Sequence, residues 1–204
     1  MTTTGSYHHG NVRGGLVEAA LRLIRTEGPA ALSLRAATRS IGVSPSAAYR
    51  HFADRDGLLA AVAAAVQGRM AAAMQKYWSD GGETAADHLH AVGLGYIRFA
   101  LDEPGWFAAF FGPDGGHSVF EENGDAGSGP FGLLNRALDE LVEEGALSSA
   151  ARDGAQWPCW SAVHGFAELA STGPLQYLPG EELWQLAELT VERTVAGVLA
   201  TGSP

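Results

Sequence analysis

Apolar positions along this chain recur every three to four residues rather than alternating, and its β-branched residues are too scattered to build strands. That pattern predicts an all-α fold of about nine helices. Asn11 suits the N-cap of a first helix whose Leu16, Ala20, Leu23 and Ile24 share one face, and Gly28 with Pro29 ends it. Ser33 is placed to cap a short second helix over 34–41, and Gly42 supplies the turn before Ser44 and Pro45 open a third helix through His51. Asp54 begins a long Ala-rich helix reaching about Trp78. Thr84, with Asp87 three residues on, has the form of a capping box opening a helix to about Asp102. Pro104 starts a shorter helix carrying Trp106, Phe107, Phe110 and Phe111. Residues 112–130 hold six glycines and scattered acids with no apolar period, so they are expected to form a mobile loop. Three more helices are expected over 131–147, 150–172 and 181–199, with breaks at Gly173-Pro174 and Pro179-Gly180.

With 204 residues the chain has ample length for a hydrophobic core of one or two domains. Continuous apolar stretches such as 58–66 fall far short of the roughly twenty residues of a membrane span, and the N-terminus has no apolar signal core. One cysteine, Cys159, rules out an internal disulfide, and a cytoplasmic protein is expected. The formal net charge of -10 argues at first against nucleic acid. Its distribution reverses that conclusion: up to Leu59 seven Arg face four acids, a balance of +3, while the remaining 6 basic and 19 acidic residues give -13. The chain reads as an anion-binding end on an acidic body.

Two short helices meeting at a glycine turn over 34–51 have the form of a helix-turn-helix, in which the second helix enters the major groove. Small and polar residues early in that helix (Ser44, Ser46, Ala47), then Tyr49, Arg50 and His51, suit close approach to base edges and phosphates. Tyr7-His8-His9-Gly10-Asn11, Glu27-Gly28, Leu32-Ser33-Leu34-Arg35, Gly42-Val43-Ser44, Ala48-Tyr49-Arg50-His51-Phe52 and Arg55-Asp56-Gly57-Leu58-Leu59 follow in order. Together they resemble the tetracycline-repressor-like (TetR) family of bacterial regulators over about residues 7–66. Downstream, Trp160-Ser161-Ala162-Val163-His164-Gly165-Phe166 resembles the Trp-His-Gly type of C-terminal domain in that family.

The resemblance implies a DNA-binding domain over residues 1–60 and a helical ligand-binding and dimerisation domain over 61–204. It implies that Ser44, Pro45, Ser46, Ala47, Tyr49 and His51 face the groove or its flanking phosphates, with Ser33, Arg35 and Arg55 on the backbone. The His8-His9 arm with Arg13 would reach an adjacent phosphate or groove. The second helix departs from the family pattern, reading Ala36-Ala37-Thr38-Arg39-Ser40-Ile41 where Val-Ala-Arg and a small residue are commoner. Phe52 is expected in the core, and Arg22 and Arg25 on a solvated surface.

Trp157, Trp160, His164, Glu168 and Ser171 recur at helical spacing, on a face suited either to a ligand pocket or to plain core. The expected pocket gathers Trp106, Phe107, Phe110, Trp160, His164 and Phe166 around a lipophilic or aromatic effector. Leu183, Trp184, Leu186, Ala187, Val191, Val195 and Val198 give the last helix a wide apolar surface, so a homodimer through the last two helices is expected. Its double-stranded DNA operator would be roughly palindromic, with half-sites about 34 Å apart. Cys159 reads as a buried, inert thiol. Gly127 to Gly132 matches G-x-G-x-x-G by letter but follows no strand, and no hydrolase elbow or zinc motif occurs. His88 and His90 lie two apart on a helix and point apart, so no metal or other cofactor is expected. Two other classes stay open: an enzyme pairing His164 with Glu168 as acid and base, and a DNA-binding adaptor without a ligand.

Overall fold

Residues 11–111 and 129–202 are described in the computed structural model; they contain ten α-helices, two short 3-10 turns and no strand. The chain divides into two compact units. The first holds the described residues up to Val66 together with 105–111, and the second holds 67–104 and 129–202.

In the first unit, α1 (Val12–Glu27) starts where Asn11 Oδ1 accepts the Gly14 N–H at 2.9 Å, and it ends at Gly28. A 3-10 turn (Pro29–Ala31) leads to α2 (Leu34–Ile41), capped by Ser33 Oγ accepting the Ala36 N–H at 3.1 Å. Gly42 closes α2 in the left-handed region at φ 70°, which a β-carbon would resist, and turns the chain into α3 (Pro45–Tyr49). Asp54 Oδ1 accepts the Gly57 N–H at 2.8 Å at the start of α4 (Arg55–Asp80). Leu16, Ala20 and Ile24 of α1, Leu34 and Ala37 of α2, Ala48 of α3, Phe52, and Leu58 and Val62 of α4 are buried. Apolar faces of short helices thus meet in one small core. Residues 105–111 of α6 (Pro104–Phe111) also belong to this unit, and Trp106 Nε1 donates to the Leu21 carbonyl of α1 at 2.8 Å.

The second unit is built around α5 (Ala85–Asp102), against which α7 (Pro130–Glu143), α9 (Gln156–Ser171) and α10 (Gly180–Gly202) all pack. Leu89, Val92, Tyr96, Ile97, Phe99 and Ala100 bury α5 on most sides, as expected of a core helix. The anticipated capping box is present, with Thr84 Oγ1 accepting the Asp87 N–H and Asp87 Oδ2 accepting the Thr84 N–H, each at 3.2 Å. The Thr84 hydroxyl, donating to Asp87 Oδ2 at 2.7 Å, and then the Thr84 N–H hold the Asp87 carboxyl below its usual range.

The additional helix is α8 (Ser149–Arg152), where a single helix over 150–172 was expected. Gly154, at φ 77°, breaks it from α9, and Arg152 pins the corner by donating to Asp139 Oδ1 at 2.7 Å and Asn135 Oδ1 at 2.9 Å. Pro158 falls in the first turn of α9, where its missing N–H leaves no intrahelical bond unmade. The division between units falls inside α4, after Val66. By length and composition α4 is apolar enough to cross a membrane, which the continuous apolar runs did not reveal because Gln67 and Arg69 interrupt them. Its Leu58, Val62, Val66, Met70, Met74 and Trp78 are all buried by packing.

Candidate functional site

The tip of α3 is exposed at Ser44, Pro45 and Ser46. Ser44 Oγ accepts the Ala47 N–H at 3.3 Å and lies 2.9 Å from Ser46 Oγ, so one hydroxyl caps the helix while the second stays at the surface. Pro45 occupies the first helical position, Ala47 is partly buried, and Ala48 is fully buried beneath them. Tyr49 is 55% exposed although aromatic, and Arg50 and His51 are exposed beside it. Phe52 is only 4% exposed and lies under the Arg13 guanidinium, 5.1 Å from the ring centroid. A side chain that packs and one that projects are therefore three residues apart, about one turn.

Ser33 and Arg55, expected on the DNA backbone, both make local structural bonds. Ser33 caps α2, and Arg55 Nε donates to the Leu32 carbonyl at 3.2 Å, tying the start of α4 to the chain entering α2. Arg35 is exposed on α2. Thr38, where the second helix departs from the family pattern, is 2% exposed and donates to the Arg35 carbonyl, so it serves packing. His8 and His9 lie outside the described residues.

The second unit holds a partly open apolar cavity with room for little more than one water-sized sphere, about 20 Å³. Met74 of α4, Leu89, Val92, Gly93 and Tyr96 of α5, and Pro130 and Leu134 of α7 form part of its wall. Cys159, Trp160 and Val163 of α9 and Val191, Thr194 and Val195 of α10 complete it. A β-carbon on Gly93 would stand 2.9 Å from Val191 Cγ1, so glycine there lets α5 and α10 approach closely. Tyr96 is 1% exposed, its hydroxyl is 2.8 Å from His164 Nδ1, and its ring meets Trp160 edge-on at 5.1 Å. Burial pushes the Tyr96 phenol up and the His164 imidazole down, with Glu168 adding a further upward push on both. Burial also raises the Cys159 thiol to about 11, which suits an inert thiol.

Of the six residues expected to form the pocket, Trp160 lines this cavity and His164 stands behind Tyr96. Phe166 is buried in the body of α9. Trp106, Phe107 and Phe110 are buried and belong to the first unit, where Trp106 bonds to α1, and none of them lines this cavity. Most of the wall went unread in the sequence because aliphatic residues at helical spacing look the same whether they line a cavity or fill a core. The signal that could have found it is Gly93, with Gly95, inside a helix apolar on nearly every face.

On the outside of the same unit, Leu169 of α9 and Leu189 of α10 are 46% and 44% exposed, and a β-carbon on Gly165 or Gly197 would meet open space. Ala187, Val191 and Val198, expected in an interface, are instead buried within the protomer. Trp184 is covered by the Arg98 guanidinium, 3.8 Å from the indole centroid.

Comparison with known proteins places these features in context. The family described as bacterial regulatory proteins, tetR family, matches residues 16–62. The tetracyclin repressor-like C-terminal domain family matches residues 89–194, more than half of the chain, and carries no Trp-His-Gly designation. No curated protein sequence matches. Among solved structures, a protein of unknown function from Rhodococcus sp. RHA1 has a TM-score of 0.74 at 28% identity, covering 93% of this chain and 98% of that one. A TetR variant from Acinetobacter baumannii AYE in complex with minocycline has a TM-score of 0.69 at 19% identity, covering 94% and 98%. PfmR, a TetR family transcriptional regulator from Thermus thermophilus, has a TM-score of 0.60 at 16% identity, covering 89% and 97%. A helix-turn-helix with a projecting second helix, joined in one chain to a helical domain of this type, makes the protein a member of the tetR family, a DNA-binding transcriptional regulator.

Proposed function

We propose that this regulator is a cytoplasmic, non-catalytic repressor that binds a palindromic operator as a homodimer and is released by a small lipophilic ligand. The observation that carries the reading is the tip of α3, where exposed Ser44, Ser46, Tyr49 and His51 project from a helix anchored by Ala48 and Phe52. A rigid helix with small residues at its start suits the major groove, and a tyrosine hydroxyl suits a phosphate. The surplus of arginine up to Leu59 supports the same reading in an otherwise acidic chain. Homodimerisation through α9 and α10 is supported by exposed Leu169, Leu189 and Gly197 with half-buried Gly165, a small and apolar surface that suits a second copy.

The cavity beside Trp160 is the candidate effector site. A ligand there releases DNA only by favouring a dimer whose recognition helices are wrongly spaced, and inverting such a population takes about 10⁴-fold differential affinity. The test is selection of bound fragments from random DNA at about 150 mM salt, with wild type and Tyr49→Ala in parallel. An enriched inverted repeat bound poorly by the variant is expected; no enriched site overturns the reading. Unchanged ligand affinity and release in Trp160→Ala would sink the effector site. The small cavity favours a second reading, an adaptor without effector, and a ligand screen that leaves the melting temperature flat despite tight operator binding would establish it.

A further inference from the structure

We infer that the effector of this cavity carries no net charge: the site takes neutral, largely hydrocarbon molecules and rejects carboxylates and ammonium ions of the same shape. The inference rests on the reading of the cavity as the effector site. Its wall is hydrocarbon from Met74, Leu89, Val92, Leu134, Val163 and Val191, and the polar groups its residues carry are a phenol, an indole, a thiol and a hydroxyl, all neutral. The phenol oxygen of Tyr96 is held 2.8 Å from His164 Nδ1, and the Thr194 hydroxyl donates to the Thr190 carbonyl at 2.8 Å. Among the described residues no carboxylate, ammonium or guanidinium lines the wall. An ion entering there loses its hydration and meets no countercharge, whereas a neutral apolar molecule loses little.

The wall also stays neutral across the physiological range. Burial keeps the Cys159 thiol protonated and raises the Tyr96 phenol, while it disfavours the imidazolium of His164. Glu168 is the acid whose charge reaches both Tyr96 and His164, so a cation is the more demanding probe of the two ionic kinds. The cavity must widen to admit a six-membered ring. Met74, with its flexible thioether, is the wall residue best suited to yield.

The experiment compares four probes of similar size on the full-length protein by calorimetry and thermal shift: toluene, methyl benzoate, benzoate and benzylammonium. Val195→Phe, which places a ring in the cavity, locates the binding, and Thr194→Lys places a cation at the wall. Circular dichroism establishes that each variant is folded. The expected result is binding of toluene and methyl benzoate, lost in Val195→Phe, with both ions weaker by on the order of 100-fold. Thr194→Lys is expected to recover benzoate and not benzylammonium. Wild-type binding of either ion within about tenfold of the neutral probes, lost in Val195→Phe, overturns the inference and leaves the effector site standing. No binding by any probe, or binding unaffected by Val195→Phe, overturns the effector site and the inference with it.

Discussion

The α3 tip and the cavity wall place their aromatic residues in opposite ways. In the first unit Tyr49 projects while Phe52, three residues on, is buried; in the second, Tyr96 and Trp160 are both buried and touch each other. A projecting aromatic adds little to folding and is available to a partner, whereas a buried pair contributes much to folding before it contributes to binding. Substitution therefore separates stability from function in the first unit and mixes them in the second.

The largest expected effects come from buried rings. Phe52→Ala and Trp160→Ala should each lower unfolding stability by about 3–5 kcal/mol, measured by denaturant titration, through lost burial and the cavities left behind. Equal losses at both sites would sharpen the contrast with Tyr49, since the surrounding cores would then be equally well packed. Tyr49→Ala should weaken operator binding by about 1–3 kcal/mol in a titration while shifting stability by no more than about 0.5 kcal/mol. A large stability loss there would break the comparison, because Tyr49 would then be part of the core.

Gly42→Ala should cost about 1–2 kcal/mol, because the turn between α2 and α3 holds a left-handed conformation that a β-carbon opposes. Thr84→Ala should cost about 1 kcal/mol by removing the capping hydroxyl from α5, and thermal melts would read it. The smallest effect concerns pH. His164 has its folded pKa lowered by burial, so below about pH 6.5 the unfolded chain takes up a proton that the folded chain resists. Stability should fall as pH drops through that range, and the slope should be shallower in His164→Gln, which takes up no proton in either state.

The helix starts were legible because each rests on bonds spanning three residues: Asn11 to Gly14, Ser33 to Ala36, Thr84 to Asp87. The α2 boundaries, the start of α3 and the burial of Phe52 followed from the same local reasoning, whereas α3 ends at Tyr49, two residues short of the expected His51. The break at Gly154 was missed because Ala150 to Thr172 keeps an apolar period across it, and the Arg152 contacts to Asp139 and Asn135 that set the corner reach back to α7.

The amino-acid sequence by itself determined most of the helices, the sharp turn at Gly42 and the arginine surplus up to Leu59, because capping, backbone conformation and charge are properties of neighbouring residues. Which aromatic residues meet was decided only by the tertiary structure. Trp106 and Trp160 read alike along the chain, yet the first donates to the Leu21 carbonyl of α1 and the second lines a cavity whose wall residues run from Met74 to Val195. Burial is nondirectional, so an apolar ring joins whichever surface the packed helices bring to it.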